Sequence, residues 1–576
     1  MRALLVTLDS KYIHANLAVR YLKNFCKDDG FDIEIKEFTI NQQLNYILSE
    51  IIEANAQIIC FSCYIWNIEY IKEIAYILKK SNPNIKILFG GPEVSFETDK
   101  IMIDENYIDY IIFGEGEVTF REFIKEINSL KPKFNKITGL AYREKDTVNI
   151  NGERELIDNL DIIKYPYDED EIFKDKIIYY ESSRGCPFNC SFCMSSIDKK
   201  TRNFSMERVK SDLKTLLSTK ARQIKFIDRT FNADYKRSME IMNFIVDNNI
   251  NNMTIHFEIT ADIINDEFLD FLSGMPVNMF QFEIGVQSLN DDTLCEINRH
   301  MNIDKLYNVI SRVRENNNIH IHLDLIAGLP FEGYESFKKS FDGIYQLNAE
   351  KIQLGFLKVL KGTKIYFDKT KHDIQYRTNA PYEVICTKYM SLGEILMLKK
   401  IEELVDKYYN EKYFEKSLGY IMKNMFYVSP FEFYESFSQY WQKNDLYKAS
   451  HSRKKLYEIL YNYIDSREKA NHEFISNLRY DYVYNNQQEE LPLFLDRDSE
   501  DKFRSIKRFM AADDVFREKY FGKVRKDERI INNFRLVEIN NDATIFIYEN
   551  KKNIFKRCKT YNINHLIEGY EHEQER

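Results

Sequence analysis

The chain has 576 residues, of which 44% are hydrophobic, 14% aromatic and 30% charged. That length exceeds one compact domain, and the composition supplies several buried cores, which excludes a globally disordered chain. A net charge of −9 excludes a generally basic, nucleic-acid-coating protein. No run approaches the roughly eighteen consecutive apolar residues of a membrane span, so none is expected. Arg2 is followed directly by a strand pattern with no small-residue cleavage site, so the expectation is a cytoplasmic chain.

From Met1 to about Leu130, short apolar runs alternate with amphipathic stretches. The expected strands are Ala3–Leu8, Asp32–Glu37, Ile58–Ser62, Lys86–Phe89 and Tyr110–Phe113. Helices are expected over Ile13–Phe25, Gln42–Asn55, Ile68–Lys80 and Val118–Leu130. This alternation predicts an α/β, doubly wound (flavodoxin-like) parallel sheet spanning 1–130, with ligands bound beyond the carboxyl ends of its strands. The punctuation falls at those ends: Asp9-Ser10-Lys11-Tyr12-Ile13-His14, Cys63-Tyr64-Ile65-Trp66, Gly90-Gly91-Pro92-Glu93 and Gly114-Glu115-Gly116-Glu117. No Gly-x-Gly-x-x-Gly follows the first strand, which disfavours a dinucleotide.

Residues 131–176 read as a linker with a small hairpin. A second series then spans 177–366, with strands Ile177–Ser182, Gln223–Asp228, Thr254–Thr260, Met279–Gln287, His320–Ile326 and Lys351–Leu357. The helices between them run near Ser205–Thr219, Tyr235–Asn248, Asp266–Ser273, Asp304–Asn316 and Tyr334–Leu347, with Ser205 a candidate N-cap. Six strand–helix units predict a partial (β/α)6 barrel with its site at the carboxyl ends of the strands. The remainder, 367–576, reads as mainly helical, with helices over Cys386–Lys407 and Phe503–Tyr520. A terminal hairpin is expected from Phe534–Ile539 and Ala543–Tyr548.

Of nine cysteines, only Cys186, Cys190 and Cys193 have ligand-like spacing, in a loop after the first strand of the second series. Thiolates select zinc, copper or iron–sulfur clusters. The next cysteine is Cys295, and no histidine completes a four-ligand zinc pattern. A four-iron cube on three thiolates would keep one iron open. The bland alternative is three small residues buried in a loop.

Cys186-x3-Cys190-x2-Cys193 resembles the signature of the radical S-adenosylmethionine (SAM) enzymes. The resemblance spans about Ile177 to Tyr366 and implies a [4Fe-4S] cluster on the three cysteines. Its open iron would bind SAM, and reductive cleavage would yield a 5′-deoxyadenosyl radical. It implies SAM contacts at Phe192, Asp228, Asn232, Glu258 and Gln287. Asp228-Arg229-Thr230-Phe231-Asn232 departs from the commoner Gly-Gly-Glu form. In order and spacing the first-domain loops look like the cobalamin-binding domains that precede radical SAM domains. Cobalamin contacts are then implied at Tyr12, Ser62, Tyr64, Gly90, Gly91, Pro92, Gly114, Glu115, Gly116 and Glu117. The Asp-x-His-x-x-Gly motif is absent, so His14 is read as a helix-start or packing residue and not as a cobalt ligand. Cys26, Cys60 and Cys63 are read as buried inert thiols, not as a second cluster site. The tail resembles the uncharacterised DUF4080 domain carried by a subset of B12-binding radical SAM proteins.

The implied function is a cobalamin-dependent radical SAM enzyme acting on an unactivated carbon, with methylation of that carbon as one outcome. Rearrangement, cyclisation or sulfur insertion is the alternative, and a corrinoid or redox sensor a third reading. The expected partners are a small-molecule or peptide substrate and an electron donor such as flavodoxin or ferredoxin. The basic clusters Lys199-Lys200-Thr201-Arg202 and Arg453-Lys454-Lys455 are read as solvated surface, and neither membrane nor nucleic acid is expected as a partner.

Overall fold

The computed structural model describes residues 1–168, 173–174, 176–198, 200–425, 429–496, 498–522, 530–548 and 558–567. They form two compact units, Met1–Ala349 with Gln353–Ile395, and Glu350–Ile352 with Leu396–Arg576.

The first unit contains two large sheets. Strands β1 (Ala3–Asp9), β2 (Ile33–Thr39), β3 (Ile58–Ser62), β4 (Lys86–Gly90) and β5 (Tyr110–Ile112) pair in parallel in the order β2-β1-β3-β4-β5. Every residue of β1 and β3 is buried, because helices cover both faces. Alternate residues go to opposite sides. Leu4, Val6, Ile59 and Phe61 join one apolar cluster, and Ala3, Leu5, Ile58 and Cys60 the other. The helices are α1 (Leu17–Phe25), α2 (Leu44–Glu53), α3 (Ile68–Ser81), α4 (Thr98–Asp104) and α5 (Gly116–Ile127). Helix α1 starts at Leu17 rather than Ile13 because Asn16 caps it, accepting from Val19 N at 3.2 Å. The hairpin expected in 131–176 consists of β6 (Leu140–Glu144) and β7 (Thr147–Ile150). It adds antiparallel to β5, so the sheet has seven strands and is mixed. Strand β5 would otherwise present an open row of backbone donors and acceptors.

The second sheet has the order β15-β14-β13-β12-β11-β8, an open arc. Its strands are β8 (Ile177–Tyr180), β11 (Gln223–Phe226), β12 (Thr254–Ile259), β13 (Phe280–Gln287), β14 (His320–Ala327) and β15 (Lys351–Phe356). The short pair β9 (Ser183–Arg184) and β10 (Arg202–Asn203) lies between β8 and β11 in sequence and flanks the cysteine loop. Helices α6 (Met206–Ser218), α7 (Tyr235–Asn248), α8 (Asp266–Ser273), α9 (Asp291–Glu296), α10 (Ile303–Asn316) and α11 (Tyr334–Gln346) follow the strands. Ser205 caps α6. On β13 the buried positions are apolar (Phe280, Phe282, Ile284, Val286), whereas the half-buried ones are Gln281, Glu283, Gly285 and Gln287. On β14 the half-buried positions are His320, His322, Asp324 and Ile326. One face of the arc is therefore polar and charged, unlike the branched apolar layers that fill a closed barrel.

In the second unit, helices Glu415–Asn424, Pro430–Lys443, Arg453–Asp465 and His472–Asn485 bury Tyr408, Trp441, Tyr457 and Tyr463. A three-stranded antiparallel sheet, Phe534–Ile539, Asp542–Tyr548 and Cys558–Asn562, contains the expected hairpin and one further strand. Two helix expectations need correction. Cys386 lies on a short strand (Val384–Cys386), and the helix begins only at Leu392. The stretch 503–520 divides at Asp513, whose carboxylate caps a second helix by accepting from Val515 N at 2.9 Å. Among the described residues no helix is long and apolar enough to cross a membrane.

Candidate active site

The cysteine loop hangs from the end of β8, and its stem is fixed by two buried charges. Asp228, 1% exposed just past β11, accepts from Ser182 N at 2.9 Å and from the hydroxyls of Ser182 and Ser183 at 2.6 Å each. Burial pushes its carboxyl above the usual range, and the three donors oppose that. Arg184 donates to Glu181 at 2.7 Å, to Glu117 at 2.6 Å and to Glu115 at 3.1 Å. Arg202, paired across β9–β10 with Arg184, reaches Glu115 and Asp198.

Within the loop, Cys186 and Cys190 are buried and Cys193 is partly exposed. Cys186 Sγ lies 3.5 Å from Thr230 Oγ1, and Arg299 Nη1 lies 3.8 Å from Cys190 Sγ. Burial pushes the Cys190 thiol up, while the Arg299 guanidinium opposes it by favouring the thiolate. Among the described residues no three His, Cys, Asp or Glu side chains converge as a single metal ion would require. A four-iron cube does not require convergence, since each thiolate binds a different iron, and three thiols on one loop suit it.

Cys193 and Phe192 open onto a cavity of about 1060 Å³. The first domain contributes Asp9, His14, Tyr64, Trp66, Pro92 and Glu93 to its wall. The rings of Tyr64 and Trp66 stack at 4.4 Å with a 7° interplanar angle, making a flat aromatic surface. Trp66 is fixed by donating to Leu8 O at 3.0 Å. Asp9, at the end of β1, is raised to about 7 by burial and by Glu37 nearby. His14 Nδ1 stands 2.7 Å from the Tyr179 hydroxyl, so His14 is a packed wall residue lying before α1 begins.

The polar face of the second sheet supplies Glu258, Gln287, Asp324 and Gln353. Burial raises Glu258, and Lys225, 3.7 Å away, opposes it. Burial would raise Glu283 as well, but His256 at 2.9 Å and Lys225 at 3.2 Å hold it below the usual carboxylate range.

Phe192, Cys193, Glu258, Gln287, Tyr64 and Pro92 thus share one cavity. The other expected contacts are not on the lining of this cavity. Both Asp228 oxygens are taken by the loop stem. Asn232 is 2% exposed and bridges Thr260 through its carbonyl and its amide. Glu115 and Glu117 are consumed by Arg184 and Arg202, which tie the Gly114–Glu117 loop to the cysteine stem. Gly91 is needed for the approach of β4 to Cys63, since a β-carbon there would meet Cys63 O at 2.5 Å. Gly90 accepts from Cys63 N at 2.7 Å, and the Ser62 carbonyl accepts from Asn67. Tyr12 is 77% exposed, with Lys176 over its ring.

Cys26 and Cys60 sit in one core cluster and Cys63 in the other, on opposite faces of the first sheet, so they cannot share a cluster. Burial pushes all three thiols up, Cys26 to about 12. Of the basic runs, Arg202 is structural, Lys200 pairs with Asp158 at 2.6 Å, and Lys199 lies outside the described residues. Arg453 lies over the Tyr413 ring and Lys455 pairs with Glu458. Sequence alone does not single out Arg299, Arg184 or Tyr179. An Arg–His pair between two helices reads as solvated loop, and nothing local reports that Cys190 is its neighbour.

Three family models match the chain: the B12 binding domain over residues 3–124, the Radical SAM superfamily over 180–344, and the protein of unknown function DUF4080 over 370–556. The chain is 37% identical over 177 residues to the uncharacterized methyltransferase PH0819 of Pyrococcus horikoshii, covering 29% of this chain and 38% of that protein. It is 25% identical over 317 residues to the cobalamin-dependent radical SAM methyltransferase TokK of Streptomyces tokunonensis, covering 50% and 44%. The chain therefore spans less than half the length of these curated relatives. Among solved structures, the cobalamin-dependent SAM radical enzyme OxsB with aqua-cobalamin bound matches with a TM-score of 0.59 at 16% identity, covering 88% of this chain and 81% of that one. The methyltransferase TsrM of Kitasatospora setae, with cobalamin and a [4Fe-4S] cluster bound, gives 0.54 at 15% identity, covering 64% and 75%. These structural likenesses establish the fold. With its three domain matches in this order, the chain belongs to the radical SAM proteins that carry a B12-binding domain before the radical SAM domain and a DUF4080 region after it.

Proposed function

We propose that the chain is a cobalamin-dependent radical SAM enzyme that cleaves SAM at a [4Fe-4S] cluster on Cys186, Cys190 and Cys193 and methylates an unactivated carbon of its substrate. One observation carries this reading: Cys193 and Phe192 open onto the same cavity as Tyr64, Trp66 and Pro92, so the cysteine loop and the carboxyl edge of the first domain serve one space. Relatives named as methyltransferases support the reaction class. Bound there, the cluster with SAM would supply a 5′-deoxyadenosyl radical and the corrinoid a transferable methyl group.

The chain's own residues do the rest. The three thiolates of Cys186, Cys190 and Cys193 would hold three irons, and Arg299, beside Cys190, would offset their charge. Asp228 and Arg184 keep the loop in place. Glu258 and Gln287 offer polar groups to the ribose and amino-acid parts of SAM, beside the Phe192 backbone. The Tyr64–Trp66 stack gives a flat wall suited to a macrocycle. A small-molecule or peptide substrate and a flavodoxin or ferredoxin donor complete the scheme.

Anaerobic reconstitution followed by iron, sulfide and cobalt analysis, then incubation with SAM and dithionite, tests the reading. The parent protein should form 5′-deoxyadenosine and S-adenosylhomocysteine. Cys190→Ala should lose 5′-deoxyadenosine formation yet keep its cobalt. A normal 5′-deoxyadenosine yield from that variant overturns the cluster assignment, and absence of S-adenosylhomocysteine with cobalamin bound overturns methyl transfer.

A further inference from the structure

The charges around the cavity are answered unequally. Each carboxylate on its wall has a partner. Glu258 faces Lys225 at 3.7 Å and Glu93 accepts from the Tyr382 hydroxyl at 2.7 Å. Asp9 is reached by the Thr7 hydroxyl at 3.4 Å, and Asp324 and Glu383 have partners of their own. The cationic side differs. His14 is held by Tyr179, and Lys361 pairs with Glu97 at 3.2 Å. Arg229 and Lys358 also line the cavity, and among the described residues neither side chain has a hydrogen-bond or ion-pair partner.

Arg229 is the better placed of the two. Its chain neighbours are immobilised, Asp228 by Ser182 and Ser183 and Thr230 against Cys186 Sγ, so a long flexible side chain stands on a rigid base. Its own side chain is exposed, and its charge is felt at Tyr64 on one wall and at Glu258 on the other. A guanidinium offers a fork of donors matched to a carboxylate or phosphate. The usual fate of an arginine beside two acids is an ion pair with one of them. Here Glu258 faces Lys225 at 3.7 Å, Asp228 is held by the serines, and Arg229 is bonded to neither, which leaves the fork for a ligand.

We propose that Arg229, assisted by Lys358, is the subsite for an oxyanion of the substrate, so that the molecule acted on carries a carboxylate or phosphate group. The assignment rests on the functional reading above and narrows its substrate class. Calorimetric titration of the reconstituted holoprotein, saturated with SAM in phosphate-free buffer, tests it with pyrophosphate and succinate as probes. The parent should bind at least one, and which one identifies phosphate or carboxylate as the favoured group. Arg229→Gln should weaken that binding by at least about tenfold, the loss of one charge-assisted contact. Arg229→Lys should fall between, because it keeps the charge without the fork. Lys358→Ala should give a smaller loss. SAM affinity, measured by equilibrium dialysis, should not change in Arg229→Gln. Failure of the parent to bind either probe, equal binding by Arg229→Gln, or a matching loss of SAM affinity would each overturn the proposal, the last by assigning Arg229 to SAM itself. Iron and cobalt contents measured on the same samples show separately whether the functional reading has failed.

Discussion

Gly91 has a φ of +117°, and a β-carbon built on it would lie 2.5 Å from Cys63 O, 3.1 Å from Cys63 N and 3.3 Å from Cys63 C. The neighbour is backbone, held by Cys63 N donating to Gly90 O at 2.7 Å, so no side chain can swing away. Gly91→Ala therefore combines two costs. An alanine held at φ +117° and ψ 176°, a region almost reserved to glycine, costs about 1–3 kcal/mol, and displacing packed backbone adds about 1–3 kcal/mol. A total near 3 kcal/mol, at about 2 °C per kcal/mol for a large domain, lowers the melting temperature by about 6 °C. Gly114 is the control: its φ is +76°, yet a β-carbon added there would meet nothing within 4 Å, so Gly114→Ala should cost only about 1–2 kcal/mol. Differential scanning fluorimetry of the cofactor-free protein reads both. Iron and cobalt loading of Gly91→Ala should fall together, because the injury is to the sheet. A melting temperature within about 2 °C of the parent, less than one destabilising kilocalorie in a large domain, or loss of cobalt alone, would refute the reasoning and return Gly91 to a direct role at the macrocycle.

Glu332 is fully buried; Ser288 and Ser340 donate to one of its oxygens, and burial raises its carboxyl from 4.5 to about 7. The folded state thus binds this proton more tightly than the unfolded chain, so stability falls as pH rises from about 4.5 to 7. Glu332→Gln should remove that slope and exceed the parent above pH 7 by up to about 3 kcal/mol in urea titrations, whereas parallel curves for the two proteins would contradict the burial argument. Arg184→Leu leaves Glu117 and Glu181 without their cation and Glu115 with Arg202 alone. It should destabilise by about 3–5 kcal/mol and reduce iron incorporation, and a loss below about 1 kcal/mol would show that the three acids relax into water.

The parallel first sheet is legible because strands buried on both faces must be apolar throughout, as Ala-Leu-Leu-Val in β1 is. The cysteine loop is legible because its ligand spacing is local. What sequence cannot show is which groups are already engaged. Asp228 stands where a cofactor contact is expected, but two serines 46 and 45 residues away in sequence occupy it. Glu115 and Glu117 punctuate a loop facing the site, yet Arg184, in the loop after the second sheet's first strand, claims them both. Arg299 is silent in sequence for the converse reason: its partner Cys190 is 109 residues away. The hairpin is visible, but its attachment to β5 depends on an edge that only the assembled sheet possesses.

The hydrogen bonds from Ser182 and Ser183 to Asp228 have a further consequence. They involve protein atoms alone, so the stem of the cysteine loop draws its partners from the chain and not from a metal. A cluster held on Cys186, Cys190 and Cys193, as proposed above, would then be seated at three sulfur atoms without rebuilding the backbone that carries them.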